Sequence, residues 1–194
     1  MYSFNREVYG LNICVRIVDL EDNLQPVLGA VVLSSDNIQK RIGELAAQIS
    51  RDYAGKPLHL LVVLRGAVPF LVDLSRRLEL DVSFDFISTI RLGEHQVKLI
   101  KDLDIPIEDK DVLLVEDIVN EGNTLSYLLK TLQLRRPRSL KICTLFDRPQ
   151  KRVQPINLDY VGFTLDERFL VGFGLDYHQL YRNLPHLVEL NFVK

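Results

Sequence analysis

Two adjacent acids and a glycine loop form the most suggestive chemical pattern in this chain. Glu116 and Asp117 end the apolar run LLVED, and Gly122 and Thr124 follow in IVNEGNTL. Glycine permits a tight backbone in which successive N–H groups face an anion at a helix start. Paired carboxylates at a strand end commonly hold sugar hydroxyls or a hard cation such as Mg²⁺. The pattern therefore indicates a phosphate site, although Asp117 could instead only cap the helix.

Two other loops place a cation directly after an apolar run. Arg65 and Gly66 follow LHLLVVL, and Arg148 opens the basic segment RPQKR after SLKICTLFD. The first loop offers backbone donors and one cation, which suits a second anionic group. Arg148 and its basic neighbours could read a carbonyl or a phosphate. For both loops, solvated arginines at a surface turn remain the alternative interpretation.

The segment FLVGFGLDYHQLYRNLPHL near the C-terminus combines aromatic rings with a carboxylate. Asp176, Tyr177, Tyr181 and Arg182 fall within it in quick succession. Such a set could stack a flat base and hold a cation. An aromatic packing segment explains the same residues equally well.

Alternating apolar strands and amphipathic helices predict the elements that position these loops. Such alternation indicates an α/β three-layer sandwich with a mainly parallel sheet, in which ligands bind beyond the carboxyl ends of the strands. A hairpin is expected at Gly93-Glu94. The predicted strands are 11–18, 27–33, 58–64, 82–92, 95–103, 111–117 and 139–146, and the predicted helices are 68–78, 123–134 and one capped by Ser35 or Asp36 and closed by Gly55.

Composition bounds the class of protein. The 194 residues are 47% hydrophobic, which suits one well-packed domain. The net charge of −2 does not suggest a nucleic-acid binder. We expect a cytoplasmic protein with no membrane partner, because the chain shows no secretory signal and no apolar run near the ~20 residues that span a bilayer. Cys14 and Cys143 lie in apolar runs and are expected to be buried reduced thiols.

Four separated segments resemble the hypoxanthine-guanine phosphoribosyltransferases of purine salvage. They are LLVEDIVNEGNTL, VVLRGAVPFLVDLSRRL, TLFDRP and DYVGFTLDERFLVGFGLDYHQLYRNLP. The resemblance implies a single domain over residues 28–194 with the type I phosphoribosyltransferase fold and a small C-terminal hood region. Residues 1–27 are then an extension that adds an edge strand or enlarges a subunit contact. The family transfers a ribosyl 5-phosphate group from phosphoribosyl pyrophosphate to a purine nitrogen, requires Mg²⁺, and usually forms homodimers or homotetramers.

The resemblance implies phosphoribosyl and pyrophosphate roles for the matching loops. Glu116 and Asp117 would hold the ribose hydroxyls, directly or through Mg²⁺. Arginine 65 stands where the family usually has lysine. The 5-phosphate would be bound by Glu121, Gly122, Asn123 and Thr124, and pyrophosphate by Arg65, Gly66 and Arg182.

The resemblance also implies a purine and metal site. Arg148, again in place of lysine, would contact the purine carbonyl and take part in catalysis. Phe169 would stack on the base, and the backbone of Leu170 would read its edge. Asp176, beside the purine, would bind Mg²⁺ together with the Glu116–Asp117 pair.

Three departures from the family pattern fall on the chemistry. Asn120 replaces the aspartate that serves as the base, and loss of a general base costs roughly 10² to 10⁴ in rate. Glu121 replaces a small hydroxyl residue, and a carboxylate ~4 Å from a phosphate charge costs about 4 kcal/mol. Its side chain either points to solvent or occupies the anion hole itself. The family's long mobile lid is reduced to STIRLGEHQVKLI, which leaves the reacting centre open to water.

Two interpretations follow from this mixture of retained and altered residues. The first is a Mg²⁺-dependent purine phosphoribosyltransferase of weakened activity, acting on hypoxanthine or guanine. The second is an inactive family member that binds a purine nucleotide or serves as a regulatory partner subunit. Asn120 and Glu121 are the residues that discriminate between them.

Overall fold

The computed structural model describes residues 24–92 and 96–194, and a six-stranded sheet forms its centre. The strands of this sheet are β2 (Leu58–Val63), β3 (Val82–Leu92), β4 (Gln96–Lys101), β5 (Asp111–Val119), β6 (Ser139–Asp147) and β7 (Tyr160–Thr164). Their order is β4-β3-β2-β5-β6-β7, and neighbours are parallel except for β3 and β4. The predicted mainly parallel α/β sheet is confirmed.

Helices cover both faces of this sheet. They are α1 (Ser35–Asp52), α2 (Val68–Ser75) and α3 (Asn123–Gln133), with a short 3-10 helix at Pro149–Lys151. Leu60 and Val62 of β2 pack into the core that contains α1 and α2, whereas Leu61 and Val63 pack into the core that contains α3. Because successive strand residues face opposite sides, a wholly buried strand such as β2 requires two helical layers.

The helix ends differ slightly from their predicted positions. Ser34 is the N-cap of α1, one residue before the predicted pair, and its hydroxyl accepts the N–H of Asn37 at 3.2 Å. Helix α2 ends at Ser75 rather than at residue 78 because the N–H groups that follow donate to carbonyl oxygens three residues earlier, not four. Arg77 N–H donates to Leu74 O at 3.0 Å, which tightens the chain into a turn.

Strands β3 and β4 form the predicted hairpin. They pair antiparallel from Ser88↔Lys101 to Leu92↔Gln96, so residues 93–95 alone connect them. Those three residues lie outside the described part of the chain. The short connection places Arg91 on a paired strand, opposite Val97.

A second sheet of three strands forms the hood. It consists of β1 (Gln25–Leu33), β8 (Leu170–Val171) and β9 (Leu187–Val193) in the order β1-β9-β8. Strand β1 pairs antiparallel with β9, from Gln25↔Val193 to Leu33↔Leu187. The hood therefore also uses residues 25–27, which sequence analysis placed in the extension. The predicted strand 11–18 and Cys14 lie outside the described residues, and Cys143 is a buried free thiol.

The length and polarity of the helices bear on membrane insertion. Within residues 24–92 and 96–194, no helix combines the length and the apolar character needed to cross a bilayer.

Substitution of one strand residue tests how much the two-sided core contributes. Leu114 of β5 is fully buried, and Leu134 at the end of α3 is 84% exposed. We expect Leu114→Ala to lower the free energy of unfolding by about 2–5 kcal/mol, because it leaves a cavity in a packed interior. Leu134→Ala, the matched control, should change it by less than about 0.5 kcal/mol. Urea unfolding measures both, and equal losses would contradict the assignment of the core.

Candidate functional site

Loops from three elements meet at the carboxyl ends of β2 and β5. A Cβ atom on Gly66 would lie 1.5 Å from Asp117 Oδ2, and one on Gly174 would lie 2.0 Å from Gly66 O. The loop after β2 is thus enclosed between the Asp117 carboxylate and the hood, where only glycine leaves room. Gly174 also has a positive φ of 97°, which favours glycine. The loop after β2 therefore lies against the end of β5, and the hood packs against that loop.

The acid pair at the end of β5 is withdrawn from water, with Glu116 buried and Asp117 half-buried. Only 6% of Glu116 is exposed. Burial, helped by the neighbouring charge of Asp117, raises the pKa of Glu116 well above its usual value. Burial also raises the pKa of Asp117 to about 6, against the opposing effects of the Ile118 N–H and the Arg182 guanidinium. The pair is consequently poised to release a proton when a cation arrives.

The start of α3 forms an open cradle of backbone donors. Gly122 is the N-cap with φ of 87°, and no side chain among the described residues caps the first turn. The N–H groups that begin α3 are therefore available to an external anion, as the helix dipole favours. A side chain at position 122 would meet Gln154 O and Ile156 Cγ1 at 3.0 Å, so the close backbone packing also requires glycine.

The Glu121 carboxylate is turned to the side of this cradle. Its Oε2 accepts from Asn123 Nδ2 at 3.1 Å and from Arg91 Nη1 at 3.4 Å. The Glu121 side chain is 43% exposed. Both bonds come from side chains rather than from the N–H groups of the helix start. The structure therefore favours the solvent-side orientation over occupation of the anion hole, with Arg91 as a counter-charge that sequence analysis missed.

The backbone of Asn120 is held by Arg152, which the sequence shows only as one member of a basic cluster. Arg152 donates to the backbone oxygen of Asn120 and pairs with Asp147. Val153 N–H donates to Glu121 O at 3.0 Å, which ties the same loop to the segment after β6. Asn120 Oδ1 is buried and has no hydrogen-bond partner within the described residues. A bound group with a suitable donor would satisfy it.

Arg148 lies beside an exposed aromatic ring. Its Nη2 donates to Arg168 O at 2.7 Å, while its buried Nε has no partner in the part of the chain that the structure describes. Burial lowers the pKa of Arg148. The next residue along the hood, Phe169, is 46% exposed, and its ring meets Tyr177 edge-on at 5.8 Å. Leu170 pairs with Glu189 in the hood sheet, so the predicted purine-binding residues share one region.

A glutamine joins the two predicted pyrophosphate arginines. Gln179 Oε1 accepts from Arg182 Nη2 at 3.0 Å and from Arg65 Nη1 at 3.4 Å. Arg182 also pairs with Asp176 Oδ1 at 2.6 Å and donates to Gly174 O at 2.6 Å. Sequence analysis missed Gln179, whose only signal was its position inside DYHQLYR.

The three predicted metal ligands do not form one cluster. Among the described residues, no group of three or more His, Cys, Asp or Glu side chains is arranged to hold a metal ion. Asp176 is instead engaged by Arg182. Mg²⁺ often takes one or two carboxylates and completes its shell with substrate phosphates and water. The Glu116–Asp117 pair fits that partial role, but a cage that also includes Asp176 is not present.

Comparison with known proteins agrees with this architecture. A family model described as "Phosphoribosyl transferase domain" matches residues 32–178. The chain is 42% identical over 171 residues to a hypoxanthine phosphoribosyltransferase of Buchnera aphidicola, covering 84% of this chain and 97% of that protein. It is 42% identical over 164 residues to a hypoxanthine-guanine phosphoribosyltransferase of Bacillus subtilis, covering 81% and 90%. A solved hypoxanthine-guanine phosphoribosyltransferase of Bacillus anthracis has a TM-score of 0.84 at 38% identity, covering 86% and 99%.

The raised pKa of Asp117 predicts a pH-dependent cost to stability. Between the ordinary value of 3.8 and the folded value of about 6, the folded chain binds more protons than the unfolded chain. Stability therefore falls as pH rises through that window and stays lowered above it. We expect the gain in Tm from Asp117→Asn to be larger at about pH 7.5 than at about pH 4.5.

Asp85 supplies a control of opposite sign. Burial alone would raise its pKa, but backbone N–H donors that include Ile105 and Asp104 hold the pKa of Asp85 below its usual value. It is ionised across the same pH range, so Asp85→Asn should lower Tm at both pH values. A constant effect of Asp117→Asn in scanning calorimetry would contradict the burial argument.

Proposed function

The chain belongs to the hypoxanthine-guanine phosphoribosyltransferase family, and we propose that it transfers the ribosyl 5-phosphate group of phosphoribosyl pyrophosphate to hypoxanthine or guanine at a reduced rate. The observation that carries this proposal is the pair of buried Glu116 and half-buried Asp117 beside the open start of α3. An acid pair of raised pKa next to the backbone donors at the start of α3 suits a polyol phosphate that brings a cation.

The phosphoribosyl group would bind across the ends of β5 and α3. The carboxylates of Glu116 and Asp117 would accept from the ribose hydroxyls, directly or through Mg²⁺. The N–H groups of residues 122–124 would donate to the 5-phosphate, with the Thr124 hydroxyl as a further donor. Gly122 supports this role because a side chain there would crowd Gln154 O and Ile156 Cγ1, each 3.0 Å away, and so displace the loop.

Pyrophosphate would be held between the loop after β2 and the hood. Arg65 and Arg182 share Gln179 as a hydrogen-bond partner, so their guanidinium groups lie close enough to act on one ligand. The backbone at Gly66 lies against the Asp117 carboxylate, which supports binding of pyrophosphate next to the ribose. Two fixed guanidinium groups stabilise the negative charge that develops on the leaving pyrophosphate.

The purine would lie on Phe169. The exposed part of that ring offers a face for stacking, and its edge-on neighbours hold it in place. Arg148 has a buried Nε without a partner among the described residues, which supports a role in donating to the 6-oxo group. Its charge would stabilise the base as the base loses a proton.

The residues present fit Mg²⁺ only as a shared ligand of protein and substrate. The Glu116–Asp117 pair would hold the ion by way of the ribose hydroxyls, and the pyrophosphate oxygens would complete its shell. When bound, Mg²⁺ neutralises the substrate phosphates and so makes pyrophosphate a better leaving group. We also propose that the chain forms a homodimer or homotetramer, as the family suggests.

Two features of the chain account for the reduced rate that we propose. The Asn120 amide can accept or donate a hydrogen bond, but it cannot take the proton that the purine must lose. The β3–β4 hairpin is connected by residues 93–95 alone, so it is too short for the long lid of the family. A shorter cover excludes less water from the reacting sugar.

A second candidate function is binding of a purine nucleotide without turnover. Asn120 favours it, because the amide leaves a purine-binding site intact while it removes the proton acceptor. A chain with this role would act as a regulatory or partner subunit rather than as a salvage enzyme. The two functions separate in the experiment that follows.

Restoration of the carboxylate tests the impaired-site proposal. We expect Asn120→Asp combined with Glu121→Thr to raise the kcat of hypoxanthine transfer at least about tenfold, because a proton acceptor returns to the purine site. The assay uses phosphoribosyl pyrophosphate and Mg²⁺ at saturation. Asn123→Asp is the matched control, because it places a carboxylate in the same loop away from the base, and it should give no gain.

Each outcome bears on the choice of function. A wild-type chain as fast as the double variant would contradict the proposed loss of the base. An absence of transfer in every variant, together with a rise in Tm on addition of a purine nucleotide, would support the non-catalytic candidate.

A further inference from the structure

An arginine that the family resemblance leaves without a role lines the proposed 5-phosphate site. A small cavity of about 50 Å³ lies at the end of β5 and the start of α3. Arg91 borders it together with Glu116, Asn120, Gly122 and Thr124. One member of the acid pair and part of the α3 cradle thus share this cavity with Arg91, so its guanidinium belongs to the same site.

We propose that Arg91 is a direct ligand of the 5-phosphate group. Before the phosphate binds, Glu121 holds the Arg91 guanidinium in place. This inference rests on the proposed function, because it needs a phosphoribosyl ligand in the cradle. It adds one cationic contact to that site and gives Glu121 a part in it.

The geometry of the pair suits exchange of partners. Arg91 Nη1 and Glu121 Oε2 are 3.4 Å apart, which is long for a charge-assisted hydrogen bond. About half of the Arg91 side chain and 43% of the Glu121 side chain are exposed. An exposed ion pair of this length is weak, so a phosphate with two or more oxygens can displace the carboxylate. Arginine binds phosphate with a planar fork of donors, which favours the new partner.

The backbone around Arg91 keeps its guanidinium near the cradle. Arg91 pairs with Val97 in the β3–β4 ladder, and the next pair, Leu92↔Gln96, closes the hairpin. The side chain therefore extends from a paired strand rather than from a long mobile loop. A donor on a fixed strand loses less conformational freedom on binding than one on a flexible lid.

The charges around the cavity also require a cation at this place. Glu116, Asp117 and Glu121 are all acidic, and a phosphate would add further negative charge to the same region. Arg91 contacts Glu121 at 3.4 Å and borders the same small cavity as Glu116. Without a cation on this side, the Glu121 carboxylate would repel the phosphate that the α3 cradle attracts.

A four-protein comparison tests whether Arg91 contacts the phosphate or only neutralises Glu121. The proteins are the wild type, Arg91→Ala, Glu121→Gln and the double variant, and the probe is ribose 5-phosphate in isothermal titration calorimetry. We expect Arg91→Ala to weaken binding about tenfold in both backgrounds, a change of about 1.4 kcal/mol. If Arg91 served only to neutralise Glu121, its removal would have no effect in the Glu121→Gln background, and the proposal would be wrong.

Two controls separate this inference from the proposed function. Pyrophosphate, which has no 5-phosphate, should bind equally well to the wild type and to Arg91→Ala. Arg76→Ala removes the same charge from an exposed position at the end of α2 and should leave ribose 5-phosphate binding unchanged. A wild type that binds neither probe would overturn both proposals, whereas one that binds both while Arg91→Ala changes nothing would overturn this inference alone.

Discussion

The withdrawal of two adjacent acids from water at the end of β5, with Glu116 buried and Asp117 half-buried, is the constraint on which the site depends. Glu116 and Asp117 lose hydration there, and the raised pKa of each expresses that loss. The loop after β2 and the hood enclose the pair because glycine at positions 66 and 174 lets backbone approach backbone. The fold thus retains two carboxylates at the carboxyl end of β5 despite their loss of hydration, and such a pair suits a cation and a polyol.

The four arginines around the acid pair differ in the contacts that they make. Arg152 is structural, since it joins the backbone of Asn120 to Asp147 and so holds the loop before α3. Arg182 and Arg65 share Gln179 as a hydrogen-bond partner, and we propose that both bind pyrophosphate. Arg91 is intermediate, because it is paired with Glu121 through a contact that a phosphate can replace. The sequence presents all four as arginines in loops or at strand ends, and their contacts alone separate them.

Glu121 and Asn120 have different consequences despite being adjacent. The Glu121 carboxylate is turned aside and paired, so the helix start stays free to bind an anion. The change at position 120 is chemical rather than steric, because an amide cannot take the proton that a carboxylate can. The structure therefore removes the objection to activity that Glu121 raised, and it leaves those of Asn120 and the short β3–β4 hairpin in place.

Local pattern determined the elements and the family of this protein. Buried strands such as β2 and β5 read as continuous apolar runs because both of their faces are covered, and four motifs predicted the type I phosphoribosyltransferase fold. Tertiary structure decided what depends on residues distant in sequence. Examples are the pairing of β1 with β9, the contact of Arg91 with Glu121, and the link of Gln179 to both pyrophosphate arginines. The physical reason is that periodicity reports burial along one element, whereas a side chain's partner is chosen by elements that meet only after folding.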